Sequence, residues 1–115
     1  MEVEKILVVD DEPSILKLLK EVLTQWGYHV VCVGTGAEAL EAIRTERFDA
    51  AITDIRMPEM SGLDLLREIK RHDESIEVVV MTGYPTIASA VEALKEGAYD
   101  YLSKPLILDE DERGL

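Results

Sequence analysis

Short strand-like runs alternate with stretches of helical periodicity along this chain, and the first run sets the terms for the rest. Ile6 to Val9 is apolar at every position rather than at every second one. A strand with both faces apolar must be covered on both, which is the condition of a central parallel strand. Further runs follow at Val30 to Val33, Asp49 to Thr53, Glu77 to Met81 and Asp100 to Ser103. Between them the spacing predicts helices, the crossovers that parallel strands require. The expected fold is an α/β, flavodoxin-like, doubly wound five-stranded parallel sheet in the order 2-1-3-4-5. Ligands of such sheets bind beyond the carboxyl ends of the strands, near the switch point.

Pro13 suits the first position of a helix, and Ile15, Leu18, Leu19, Val22, Leu23 and Trp26 follow on one predicted face, with Gly27 as the terminal cap. Gly34-Thr35-Gly36 closes the second strand, and Ala39, Leu40 and Ile43 mark a weaker helix reaching about Glu46. Ser61-Gly62 opens a helix with Leu63, Leu66 and Ile69 inward. Ile87, Ala90, Val91 and Leu94 form the expected buried stripe of a fourth helix, capped at Gly97. At 115 residues the chain is one domain, and at 47% hydrophobic but 5% aromatic its core must be aliphatic.

Charge excludes some functions. The formal net charge of −12, from 24 acids against 12 bases, argues against direct binding to nucleic acid or an anionic membrane. The single cysteine, Cys32, lies in an apolar run and reads as a buried reduced thiol. No stretch approaches a membrane span and no charged-then-apolar leader precedes the first strand, so a cytoplasmic protein is expected.

All four prolines, Pro13, Pro58, Pro85 and Pro105, fall a few residues after a strand, hence at one edge of the sheet. That edge collects Asp10 and Asp11 from the first strand, Asp54 from the third, Thr82 from the fourth and Lys104 from the fifth. The first and third strands would be neighbours about 5 Å apart. Like charges at 4 Å repel by about 4 kcal/mol in a surface-like dielectric, so three carboxylates there must take up a proton, spread or bind a cation. Mg²⁺ on one or two carboxylates, a carbonyl and waters meets that need. With a lysine and a hydroxyl alongside, the set suits phosphoryl chemistry. Asp54 is the expected nucleophile, Lys104 neutralises the equatorial oxygens, Thr82 donates a hydrogen bond and Gly83 leaves the approach clear. Each residue also has a plainer role, such as acids complementing a helix N-terminus or Thr82-Gly83 making a turn. Their coincidence at one edge favours the chemical reading.

The motifs Asp10-Asp11-Glu12-Pro13, Asp54-Ile55-Arg56-Met57-Pro58, Thr82-Gly83 and Lys104-Pro105 resemble the receiver domain of bacterial two-component response regulators over residues 5 to about 108. The segment from Thr82 to Pro105 is similar to receivers of nitrogen-regulatory-type transcriptional activators. The resemblance implies that Asp54 is the phosphoacceptor and that Asp11, Asp54 and the Arg56 carbonyl bind Mg²⁺, with Asp10 assisting and Mn²⁺ as an alternative ion. It implies Tyr101 as the aromatic switch and a cis Lys104-Pro105 peptide. The donor would be a sensor histidine kinase or phosphotransfer protein, and the receiver of the signal an output domain or partner protein.

Residues 1–115 are then one receiver domain, a signalling switch rather than an enzyme with a separate substrate. Residues 109–115, Asp-Glu-Asp-Glu-Arg-Gly-Leu, form an acidic tail where a full fifth helix is usual, so that helix is expected to be short or missing. An apolar strip beside the first helix would then lack a cover, and self-association as a homodimer is expected. Arg56 and Tyr84 each lie two residues after a site residue and are expected to overhang the pocket and tune phosphoryl lifetime. The alternative from the enzyme class is a Mg²⁺-dependent phosphohydrolase with an aspartyl-phosphate intermediate. It wants a second acid near the nucleophile, where this chain has Arg56, and a cap for which no residues are spare. A flavin domain lacks its phosphate-cradling loop here.

Overall fold

The computed structural model describes residues 4–104. The strands are β1 (Lys5–Val9), β2 (His29–Val33), β3 (Ala50–Asp54), β4 (Glu77–Thr82) and β5 (Asp100–Ser103). They alternate with α1 (Pro13–Gln25), α2 (Gly36–Thr45), α3 (Gly62–His72) and α4 (Ile87–Lys95). All pairings are parallel and the order is β2-β1-β3-β4-β5, as the sequence predicts. The fifth helix, the residue 109–115 tail and Pro105 lie outside the described residues, and with them whatever covers the strip beside α1. Among the described residues, no helix is long and apolar enough to cross a membrane.

Side-chain alternation on the doubly covered strands splits the core in two. Leu7, Val9, Ala51, Val78 and Val80 face α2, α3 and α4, where Ala39, Ile43, Leu65, Leu66, Ile69 and Ala93 meet them. Ile6, Val8, Val30 and Met81 face α1 through Leu19 and Leu23. Side-chain caps start three of the helices: Thr35, Ser61 and Thr86 each accept a hydrogen bond from the backbone N–H three residues on. Gly27 and Gly97 sit at positive φ (97° and 102°) after α1 and α4, the conformation a helix-ending glycine supplies.

Three expectations about helix faces need correction. Trp26 is 64% exposed rather than on the inner face of α1; it is the C-terminal cap of the helix, past Leu23, the last residue of α1 that is buried. On α3 the fully buried residues include Leu65, while Leu63 is only half-buried. The largest departure is α4, whose predicted buried stripe faces outward: Ile87 is 85% exposed, Val91 46% and Leu94 53%. Polar contacts orient this short helix. At its start the Tyr101 hydroxyl bonds to Ser89 Oγ and accepts from the Thr86 N–H at 3.3 Å. Farther along, the Arg67 guanidinium of α3 holds Glu92 at 2.7 Å and Glu96 at 3.1 Å. The line through Ser89, Ala93 and Glu96 therefore faces the protein, and small Ala93 is the one fully buried side chain of α4. Cys32 is half-buried, its thiol 3.7 Å from the Leu16 carbonyl, and burial pushes its pKa up.

Candidate functional site

The carboxyl edge of the sheet holds a cleft of about 560 Å³, lined by Asp11, Glu12, Asp54, Arg56, Thr82, Gly83, Tyr84 and Lys104 among others. The register explains the meeting. Val9 pairs with Thr53, and Asp54 with Met81, so the residues just past β1, β3 and β4 emerge side by side. The Asp10 N–H continues the ladder to the Val33 carbonyl at 3.2 Å, which keeps Asp10 inside while Asp11 turns out to solvent. The Lys104 N–H bonds to the Thr82 carbonyl at 2.7 Å, so β5 delivers its lysine to the same place.

One carboxylate oxygen from each of Asp10, Asp11 and Asp54 lies within 4.8 Å of the others. Asp10 is wholly buried and Asp54 is 6% exposed. The Lys104 ammonium offsets them, with Nζ 2.7 Å from Asp10 Oδ2 and 3.3 Å from Asp54 Oδ2. Desolvation raises the pKa of Asp54; the charge of Lys104 opposes that and the charge of Asp10 adds to it. For Lys104, burial alone would lower the pKa. Close polar contacts with Asp10 and Glu12 and the charges of Asp10 and Asp54 override it and hold the ammonium well above its usual range.

The donor set fits a hard divalent cation. Asp10 Oδ2 is buried and, despite its closeness to Lys104, has no hydrogen bond of ordinary geometry, which leaves it able to accept a cation or a ligand water. Carboxylate oxygens from two adjacent strands converge with it, and one of the three residues, Asp11, is exposed to incoming ions.

Thr82 is buried, and its hydroxyl accepts the Tyr84 N–H at 3.0 Å, so the hydroxyl proton stays available to a ligand. Gly83 borders the cleft, and a β-carbon there would meet open space. Arg56 and Tyr84 meet across the mouth, the guanidinium 4.4 Å from the ring centroid. The Arg56 N–H points at Asp54 Oδ1 over a long 3.4 Å. Tyr101 is half-buried beneath α4, away from the carboxylates.

Sequence reasoning overlooked two contributors. Glu12 accepts from Lys104 Nζ at 3.0 Å; its signal was adjacency to the acidic pair. Gly62, the residue that opens α3, lies directly behind Asp54; its signal was a poor helix former at a helix start, which calls for a reason.

This arrangement can be set against known proteins. The family profile "response regulator receiver domain" matches residues 6–112. The transcriptional regulatory protein ZraR of Klebsiella oxytoca is 50% identical over 105 residues, which cover 91% of this chain but 24% of that protein. The solution structure of the beryllofluoride-activated NtrC4 receiver domain dimer matches with TM-score 0.87 at 36% identity, over 91% of this chain and 87% of that one. A response regulator from Burkholderia pseudomallei with a phosphorylated aspartic acid, calcium ion and citrate matches with TM-score 0.86 at 33% identity, over 92% of this chain and 62% of that one. On fold, strand-end chemistry and sequence together, the chain belongs to the response regulator receiver domains of two-component signalling systems.

Proposed function

We propose that this chain is a phosphorylation-dependent switch that accepts a phosphoryl group on Asp54. The observation that carries the reading is the convergence of Asp10, Asp11 and Asp54 on one point, with Lys104 paired to two of them. An Asp54 carboxylate oxygen attacks phosphorus, the phosphorus–nitrogen bond of a phosphohistidine donor breaks, and its electron pair returns to the imidazole. The product is an acyl phosphate. Lys104 leaves its carboxylates to pair with the new phosphoryl oxygens, and the Thr82 hydroxyl turns its free proton toward them. Asp11, Asp54 and the Arg56 carbonyl would hold Mg²⁺ or Mn²⁺, with Asp10 assisting. Such an ion, when bound, neutralises charge building on the transferring group. The phosphorylated aspartate and calcium ion of the Burkholderia pseudomallei regulator support this assignment.

The signal then passes to α4 and β5. As Thr82 moves toward the phosphoryl group, the space it vacates becomes open to Tyr101, whose hydroxyl ties down the first turn of α4. Freeing that turn changes how Ile87, Val91 and Leu94 are offered to an output domain or partner. The donor would be a sensor histidine kinase or phosphotransfer protein in the cytoplasm. The nitrogen-regulatory type of activator is the expected setting, given ZraR, and homodimer formation is expected by likeness to the NtrC4 receiver domain dimer. Residues 1–115 act as one receiver unit, with the catalysis confined to its own aspartate.

Acetyl phosphate tests the reading directly. Intact-mass spectrometry should find one phosphoryl adduct with Mg²⁺ and none in chelator. Equal labelling in chelator, or turnover of simple phosphate esters, would favour the hydrolase alternative.

The stacked pair at the mouth gives a kinetic prediction. Arg56 over Tyr84 is an interaction of about 0.5–2 kcal/mol, and it covers the path of attacking water. Replacing both with alanine should speed dephosphorylation roughly tenfold, the effect of about 1.4 kcal/mol on a barrier. An unchanged decay of the adduct, followed by mass against time, would show that the pair is no barrier to water.

A further inference from the structure

The loop from β3 to α3 is pressed between two backbones, and a missing side chain makes that possible. Gly62 is the first residue of α3 and is buried. A β-carbon at this position would stand 2.0 Å from the Asp54 carbonyl oxygen, and 2.8 Å from both the Asp54 carbonyl carbon and the Ile55 Cα. These are main-chain atoms, so no rotamer change can make room. The contact is locked by the Gly62 N–H, which donates to the Ile55 carbonyl at 2.7 Å. The same Asp54 carbonyl accepts the Thr53 hydroxyl at 3.0 Å inside the core.

The loop is also held at its far side. Met60 lies over Gly36, the first residue of α2, where a β-carbon would come within 2.7 Å of its sulfur. Between these two contacts Glu59 takes a left-handed φ of 72° and the Met60 N–H bonds to the Pro58 carbonyl at 2.8 Å. The path from Asp54 through Arg56 to α3 is therefore closed at both ends.

We infer that Gly62 is a positioning residue for phosphoryl transfer: its lack of a side chain sets where the Asp54 carboxylate and the Arg56 carbonyl stand relative to Asp10, Asp11, Thr82 and Lys104. The inference rests on Asp54 being the phosphoacceptor. Two competing elements decide which side yields when an atom is added. α3 is anchored by Leu65, Leu66 and Ile69, all fully buried. The end of β3 has less to hold it, since past Asp54 the ladder continues only through the Ile55 N–H to the Met81 carbonyl at 3.0 Å. The strand end moves, and with it the nucleophile. Misplacement by about 1 Å costs roughly a hundredfold in an oriented reaction.

The test compares Gly62→Ala with Gly97→Ala in the full chain. Both make the same chemical change and both strain the backbone, but Gly97 lies at positive φ between α4 and β5, beside the Lys70 side chain and at the other end of the strands from the site. Phosphorylation by saturating acetyl phosphate with Mg²⁺ is measured well below each variant's melting midpoint, and rates are expressed per folded molecule. Gly62→Ala should lower the maximal rate roughly a hundredfold, with Gly97→Ala close to the parent. A Gly62→Ala protein that melts earlier but reacts at the parent rate makes Gly62 a packing glycine and overturns the inference. If Gly62→Ala does not fold, Met60→Ala replaces it. It frees the same loop without adding an atom, and its rate should fall roughly tenfold; a parent-like rate there overturns the inference too. A parent protein that takes no phosphoryl group refutes the assignment of Asp54 itself, an outcome distinct from a labelled parent with an equally labelled Gly62→Ala.

Discussion

Asp54→Asn eliminates the phosphoryl adduct and at the same time stabilises the metal-free protein by about 1 kcal/mol, the usual scale when a strained functional group is relieved. The first effect follows from chemistry, since an amide oxygen is a poor nucleophile and the neighbouring Asp10 is wholly buried and ion-paired to Lys104. The second follows from the raised pKa of Asp54, caused by burial first and then by the Asp10 charge, against the opposing pull of Lys104. The unfolded chain ionises this carboxyl near pH 3.9, and the folded chain does so at higher pH. Below the unfolded value both states are neutral and the group contributes nothing. Between the two values the unfolded chain ionises this group while the folded chain does not, so stability falls with rising pH until the folded value is passed and then levels off. The stability difference between Asp54→Asn and the parent should open with rising pH and close in acid. Chemical denaturation of both proteins across pH in chelator measures it. A residual adduct in the variant would remove Asp54 from its role, and a gap that widens toward acid would contradict the electrostatics.

Lys104→Met should have opposite effects on metal binding and on phosphoryl transfer. Lys104 is the ammonium that reaches Asp10, Glu12 and Asp54 together. Removing it leaves buried carboxylate charge uncompensated, a loss of about 3 kcal/mol in metal-free buffer. Divalent cation should restore much of that, and Mg²⁺ should bind more tightly than in the parent, because a competing positive charge is gone. Phosphorylation by acetyl phosphate should nonetheless fall by roughly a hundredfold or more, the scale for losing one aligned donor to a developing oxyanion. Because the folded pKa of Lys104 is raised, its contribution is fully present below the unfolded value near pH 10.4 and is lost only as pH climbs through the folded one. The stability gap to Lys104→Met should therefore stay flat through neutral pH and shrink only in strong alkali. Weaker Mg²⁺ binding in this variant would show that Lys104 organises the carboxylates rather than competing for them.

Much of this protein can be read along the chain. Residues apolar on both faces, as in Ile6 to Val9, demand cover on both sides, and that demand selects the parallel sheet. The parallel sheet in turn puts the carboxyl end of every strand at one edge. Asp10, Asp11, Asp54, Thr82 and Lys104 could be grouped because strand position alone decides where they emerge.

The tertiary structure decided what depends on neighbours distant in sequence. Apolar spacing marked Ile87, Val91 and Leu94 as buried, yet they are exposed. Periodicity finds the apolar side of a helix but carries no information about which side the rest of the protein grips. Arg67 from α3 and Tyr101 from β5 grip the polar side. Trp26 likewise lies outside its expected place, at the cap of α1 beyond the helix's last buried residue, Leu23. Gly62 reads as a poor helix starter until Asp54 is seen against it, since a van der Waals contact between two stretches of backbone leaves no trace in side-chain pattern. The strands and the chemistry of their ends came from local pattern, because burial and strand polarity act residue by residue, while their order followed from the favoured topology of five-stranded α/β sheets. The rotation of α4 and the closeness of Gly62 to Asp54 came from packing, because each is a relation between surfaces that meet only once the chain has folded.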